Sequence, residues 1–277
     1  RKAGKMIRLR RKIVRWGYAA VVTLVIGVGV LLLTEKDDEQ AVKVEFVESQ
    51  IVPGSPKAVL TLASGEELDL QEEGQFVSKD SSRIRNVGNV LEYEAGVKKH
   101  GEKKLEYNTL TIPRGGEYQL KLEDGTNVWL NAETELRFPV AFGDSERRIF
   151  LKGEAYFEVV RNTGRPFIVY TPDDEQVEVL GTKFYVEAYS GTKKFETALI
   201  EGSVRVRAAN SQFILQPSYK AVLKGGKMSV EKITDFDIYR WREGLICFKN
   251  RHFSEILEEL KKYYGVHIRF DAAKINN

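Results

Sequence analysis

Apolar and polar positions follow three different periods along this chain, and each period predicts a different element. From Trp16 to Leu33, eighteen residues carry no charge. At about 1.5 Å per residue that run is close to the hydrocarbon thickness of a bilayer. Residues 13–34 are therefore predicted to form a single transmembrane helix. From about residue 51 the pattern becomes short period-two alternation broken by glycine. Residues 60–70 (LTLASGEELDL) and 120–130 (LKLEDGTNVWL) share the pattern L-x-L-x-x-G-x-x-[LV]-x-L. Leu60, Leu62, Leu68 and Leu70 correspond to Leu120, Leu122, Val128 and Leu130, on either side of a Ser-Gly or Asp-Gly turn. Each stretch predicts a β-hairpin. Looser relatives of the pattern surround Gly153, Gly202 and Gly225-Gly226. Many short strands at this spacing predict a mainly β unit, a β-sandwich or stacked β layers. Between the two matched hairpins, the polar stretch 71–108 predicts a long loop with some strand.

The third period lies near the end. Phe253, Ile256, Leu257, Leu260 and Tyr264 fall on one face of a helix. Lys261 and Lys262 occupy its last turn, and Gly265 is a natural stop. The apolar run Leu245–Phe248 precedes this helix, and Val266–Phe270 alternates after it. Residues 236–277 are thus predicted to be a truncated β-α-β domain.

Charge gives the chain an orientation. The formal charge of +3 combines eight basic residues and no acidic one in 1–34 with 35 basic against 40 acidic residues in 35–277, a balance of −5. The Lys/Arg excess places residues 1–12 in the cytoplasm and the region after the helix outside it, as in a single-pass membrane protein. Trp16 and Tyr18 stand where interfacial anchors belong. A signal peptide is the rival reading, but Leu32-Leu33-Thr34-Glu35-Lys36 offers no small-x-small cleavage site. The chain opens with Arg, so 1–12 reads as the end of a larger cytoplasmic region. The basic tail suits anionic membrane lipid. No basic stripe interleaves with aromatics, so nucleic acid is not an expected partner. Cys247 is the sole cysteine and permits no internal disulfide. His100, His252 and His267 are scattered without zinc-ligand spacing, so neither metal nor cofactor is expected. Residues 35–108 form a juxtamembrane stalk and accessory β segment in this reading, and 109–235 the main β domain.

Several runs then coincide with one family. Ile112-Pro113-Arg114-Gly115-Gly116-Glu117-Tyr118 and Leu122-Glu123-Asp124-Gly125-Thr126-Asn127-Val128-Trp129-Leu130-Asn131-Ala132 resemble the opening of the FecR domain. Four later runs resemble its further motifs in order. These are Leu151–Val159, Arg165–Val169, Val179-Leu180-Gly181-Thr182-Lys183-Phe184 and Glu201-Gly202-Ser203-Val204. Residues 241–277 are similar to the C-terminal DUF4974-like domain of Bacteroidota members. The resemblance implies an anti-sigma factor that crosses the bacterial inner membrane once, N-terminus in the cytoplasm and C-terminal region in the periplasm. Such a relay regulates an extracytoplasmic-function (ECF) sigma factor in response to an outer-membrane TonB-dependent transducer, whose signalling domain is contacted in the periplasm. The sigma factor would be held by a cytoplasmic domain missing from this chain.

Candidate chemistry is sparse. Glu154 and Glu158 read as polar-face residues of an alternating strand rather than an acid/base pair. Cys247 reads as a small apolar residue, Gly115-Gly116 as a turn, Trp129 and Trp241 as core, and His267 as solvent-facing. An anchored hydrolase would need converging titratable groups, and none converge in the spacing. A membrane-anchored glycan- or siderophore-binding module is the alternative to signal relay. No enzymatic activity is expected apart from self-cleavage at Gly181-Thr182, which the resemblance implies for some relatives. There the Thr hydroxyl would attack the Gly carbonyl, and Gly would supply a strained positive-φ geometry. The truncated β-α-β unit would leave an open strand edge, making Leu245, Phe248, Val266, Ile268 and Phe270 the expected partner surface.

Overall fold

The computed structural model describes residues 55–71, 74–77, 83–94, 105–191, 194–208, 211–249 and 251–269. The chain divides into two units, Arg1–Gln50 and Ile51–Asn277, and the described residues all belong to the second. Two twisted sheets face each other across one core. Sheet I runs from β3 (Glu67–Asp69) through β2 (Val59–Thr61), β7 (Tyr107–Ile112), β10 (Thr134–Pro139) and the first half of β11 (Arg147–Glu158). It continues through β12 (Phe167–Tyr170), β13 (Gln176–Val179) and β16 (Val204–Ala208) to β17 (Ser211–Leu215). Sheet II runs from β4 (Gly74–Val77) through β5 (Arg83–Val87), β6 (Val90–Glu94), β8 (Gly116–Lys121) and β9 (Asn127–Leu130) to the second half of β11. Then come β14 (Lys183–Ala188), β15 (Phe195–Glu201), β18 (Tyr219–Lys224) and β19 (Lys227–Lys232). The short β1 (Ser55–Pro56) lies parallel to the start of β8.

Period-two alternation sends one side of each strand inward. Leu110, Leu136, Ile149, Val177 and Val206 from sheet I meet Leu120, Val128, Phe157, Phe184 and Leu199 from sheet II in a single buried cluster. At its centre Phe157 and Phe184 stack with centroids 4.9 Å apart and planes 13° from parallel.

Both matched hairpins form. Leu60 faces Leu68, Leu120 faces Val128, and Gly65 and Gly125 adopt φ of 86° and 81° in the turns. The Gly225-Gly226 run also closes a hairpin, between β18 and β19. The runs at Gly153 and Gly202 do something else. Gly153 lies inside β11, which is one twelve-residue strand that leaves sheet I and enters sheet II. A Cβ there would lie 2.5 Å from Thr134 Oγ1 and 2.7 Å from Thr134 Cα, and φ is 121°. Glycine thus lets one strand turn the corner between sheets. Gly202 joins β15 of sheet II to β16 of sheet I, strands that do not pair with each other. The polar stretch 71–108 contributes β4, β5 and β6, and it buries Ile84 and Leu91 completely.

A buried ion pair holds the turn of the second matched hairpin. Arg147 Nη1 donates to Asp124 Oδ2 at 2.7 Å and to the Val160 carbonyl at 2.8 Å, and its Nε donates to the Arg165 carbonyl at 3.0 Å. Asp124 also accepts from the Thr126 amide (3.0 Å) and hydroxyl (2.8 Å). The Arg147 side chain is only 1% exposed.

The expected fold class needs two corrections. Its transmembrane helix, residues 13–34, falls outside the described residues, and among those described no helix is long and apolar enough to cross a membrane. The one α-helix among them, α1 (Phe253–Tyr264), has twelve residues, or roughly 18 Å against a hydrocarbon core of about 30 Å. Among the described residues the fold is mainly β with one docked helix. Among the described residues the β-α-β unit does not form either. Leu245–Phe248 and the described part of the run after Gly265 pair with no strand, and Phe270 lies outside the described residues. The helix ends as predicted, with Gly265 at φ 65°. Its Lys262 carbonyl, however, accepts the Gly115 amide at 2.9 Å. The helix is therefore tied to the β unit instead of covering a small sheet of its own.

Candidate functional site

Two places carry polar groups that the fold alone does not require. The first is the junction between β13 and β14. The Leu180 carbonyl accepts the Asn162 amide at 2.7 Å, and the Thr182 carbonyl accepts the Val159 amide at 3.0 Å. Gly181 has the positive φ expected there, 159°, at the extended end of the range that other side chains rarely adopt. Its glycine is required for space: a Cβ would lie 2.5 Å from Arg161 Cα. Thr182 is buried, and its hydroxyl donates to the Ser203 carbonyl at 3.0 Å. A Cβ on Gly202 would lie 2.8 Å from Thr182 Oγ1 and 3.0 Å from the Gly181 carbonyl oxygen. The fold thus brings together two motifs more than twenty residues apart, Gly181-Thr182 and Gly202-Ser203. A carbonyl holds the hydroxyl proton without removing it, so the nucleophile is positioned but not activated.

The second place is the outer face of sheet II. Glu154, Glu187 and Glu196 stand directly opposite one another on β11, β14 and β15. Like charges in that register repel, and each carboxylate has its own cation. Lys194 reaches Glu187 at 2.9 Å and Lys220 reaches Glu196 at 3.0 Å. Glu154 is served by Lys262 of α1 at 3.0 Å, and Lys262 also contacts Glu259 at 2.9 Å and the Tyr189 hydroxyl at 3.0 Å. The Tyr239 hydroxyl donates to Glu196 at 2.7 Å. Burial pushes the Glu154 carboxyl up, but the charge and hydrogen bond of Lys262, with help from Asn131 and Tyr189, outweigh it and leave its pKa lowered. For Glu187 burial prevails over Lys194, and its pKa is raised. Burial also opposes the charge on Lys262, but Glu154 overcomes it and raises the pKa.

The segment after β19 packs over this ladder through two short 3-10 turns, Asp237–Tyr239 and Trp241–Glu243, and then α1. Between segment and sheet lies a small cavity of about 70 Å³, lined in part by Tyr185, Glu187, Lys194, Trp241, Cys247 and Tyr263. Of the expected partner residues, Leu245 and Phe248 border this cavity, with Leu245 41% exposed. Val266 and Ile268 are half-buried beyond the helix and away from it. Glu154 is not the solvent-facing residue its strand pattern suggested, because α1 covers it. Its partner is 108 positions away, and Lys262 carries no local signal beyond being a basic residue in a last turn. Among the described residues no cluster of His, Cys, Asp or Glu could hold a metal ion.

Residues 108–205, the strands around both places, match the family described as FecR protein. Two crystal structures of candidate anti-sigma factors from Parabacteroides distasonis ATCC 8503 share the fold. One is 30% identical with a TM-score of 0.54, over 57% of this chain and 74% of that one. The other is 29% identical with a TM-score of 0.57, over 61% of this chain and 80% of that one. No curated protein matches the sequence. The comparisons define a regulatory β protein, and the chain belongs to the FecR family.

Proposed function

We propose that this protein is an anti-sigma factor whose β unit works outside the cytoplasm. It receives a signal from the periplasmic domain of a TonB-dependent transducer and passes it to an ECF sigma factor. The observation that carries this reading is the FecR match over 108–205 together with the likeness to two candidate anti-sigma factors. A direct test is titration of the signalling domain of a TonB-dependent transducer from the same organism into residues 51–277. Saturable binding at micromolar concentrations is expected, and heat indistinguishable from buffer dilution would remove the transducer from the scheme.

The Gly181-Thr182 junction adds a second element. Attack of Thr182 Oγ1 on the Gly181 carbonyl carbon would break the C–N bond and leave an ester and a free Thr182 amine, and water would then hydrolyse the ester. Close packing around Arg161 and Gly202 supports it by holding the bond in one geometry. Mass spectrometry of the aged protein should find pieces ending at Gly181 and beginning at Thr182. Thr182→Ala should abolish them and Thr182→Ser retain them. The pieces should stay together under native conditions, because β14 pairs with β11 and β16 pairs with β13 across the break. A chain that remains intact after days of incubation would dismiss the cleavage and leave the relay role standing.

A further inference from the structure

The outer face of sheet I presents aromatic rings and arginines that the core does not use. Tyr107 on β7, Phe150 on β11 and Tyr170 on β12 form a row, with centroids 5.9 Å and 5.7 Å apart. The Arg137 guanidinium lies 4.5 Å from the Tyr107 centroid and 5.3 Å from that of Phe150, and Arg148 lies 5.1 Å from that of Tyr170. A guanidinium held over a ring face keeps N–H groups for a planar acceptor and loses little side-chain freedom on binding. Arg148 is shared with Glu146, whereas Arg137 has no carboxylate partner among the described residues. Farther along the same face Arg205 and Arg207 both converge on the single Glu178. Cations thus exceed carboxylates on this half of the sheet, although residues 35–277 as a whole carry −5.

From β7 to β17 the face is roughly 30 Å wide at about 4.8 Å per strand, enough for one side of a standard protein interface. It ends at Ile214, 63% exposed on the edge strand β17. Tyrosine, phenylalanine and arginine at the centre, flanked by Lys152 opposite Glu135, with an apolar residue at the margin, is the composition of a binding surface. The arginines lie over the rings, which leaves the rings closed to a stacking sugar. From this geometry we infer that the outer face of sheet I, centred on Arg137 and Arg148, is where a carboxylate-bearing segment of a protein partner docks. The inference rests on the relay reading and assigns its receiving surface to sheet I, away from Leu245 and Phe248.

The experiment uses residues 51–277 and the transducer's signalling domain. Arg137→Glu/Arg148→Glu is expected to raise Kd at least tenfold, and Arg137→Lys/Arg148→Lys to raise it less, because charge survives and planar stacking does not. Wild-type affinity should fall with added salt. Lys227→Glu, on the exposed edge strand β19, serves as a charge control and should bind as wild type. Both positions are exposed, so melting temperatures should stay together. Undiminished binding by the double reversal overturns the surface and leaves the relay intact, as does an equal loss from Lys227→Glu. Absence of wild-type binding overturns relay and surface together. Retention of an acidic oligogalacturonide by wild type and not by the double reversal would replace the protein partner with a glycan.

Discussion

Arg147→Ala is expected to destabilise the β unit by about 3–5 kcal/mol, the usual cost of removing one member of a buried ion pair. In a unit of this size that is a fall in Tm of about 10 °C. The loss has two parts. Asp124 keeps its charge in a site where its side chain is only 6% exposed, and the Val160 and Arg165 carbonyls lose their donor. Asp124→Asn should cost less, because the amide oxygen can still accept from the Thr126 amide. The double change Arg147→Ala/Asp124→Asn should recover part of the sum, with a coupling of about 1–3 kcal/mol. Thermal unfolding of the four proteins gives the answer, and strictly additive losses would mean that the pair contributes nothing as a pair.

The second large effect is expected at Lys262. Lys262→Met leaves Glu154 without a cation directly opposite Glu187. The penalty of a buried unpaired charge, about 3–5 kcal/mol, can be escaped by undocking α1. Hydrogen exchange should therefore find the amides of Phe253–Tyr264 unprotected while β11 and β14 stay protected. Glu154→Gln should act in the same direction, and the pair Lys262→Met/Glu154→Gln should redock the helix in part. The pH dependence has a definite sign. The Glu154 pKa is lowered in the folded state, so its contribution is fully present above the unfolded carboxylate value of about 4.3 and is lost as pH falls through the lowered one. Glu187, with its raised pKa, acts oppositely: protonation on acidification removes a repulsion. Helix release should thus begin only below the ordinary carboxylate range. Release between pH 6 and pH 5 would refute the assignment of Glu154 as the docking carboxylate.

Short-range physics decided what could be read from the residues alone. Alternating leucines around Gly65 and Gly125 specify hairpins because strand and turn lie within a dozen residues. The amphipathic spacing of Phe253–Tyr264 and the glycine after it specify a helix and its end for the same reason. The family motifs were legible because their order along the chain survives without the fold. Tertiary structure decided whatever depends on distant partners. Gly153 has the same alternating neighbours as a hairpin glycine, and only the contact with Thr134 makes it a corner inside one strand. Leu245–Phe248 has strand composition, yet β pairing requires a neighbouring edge, and α1 is tied instead to Gly115 and Glu154. Glu154 and Lys262 look like ordinary surface charges in sequence. They become a buried pair because the register of β11, β14 and β15 lines up three carboxylates and the last helix brings one of them its cation. The arginine–aromatic row follows the same rule: Tyr107, Arg137, Phe150 and Tyr170 are neighbours only through the pairing of β7, β10, β11 and β12.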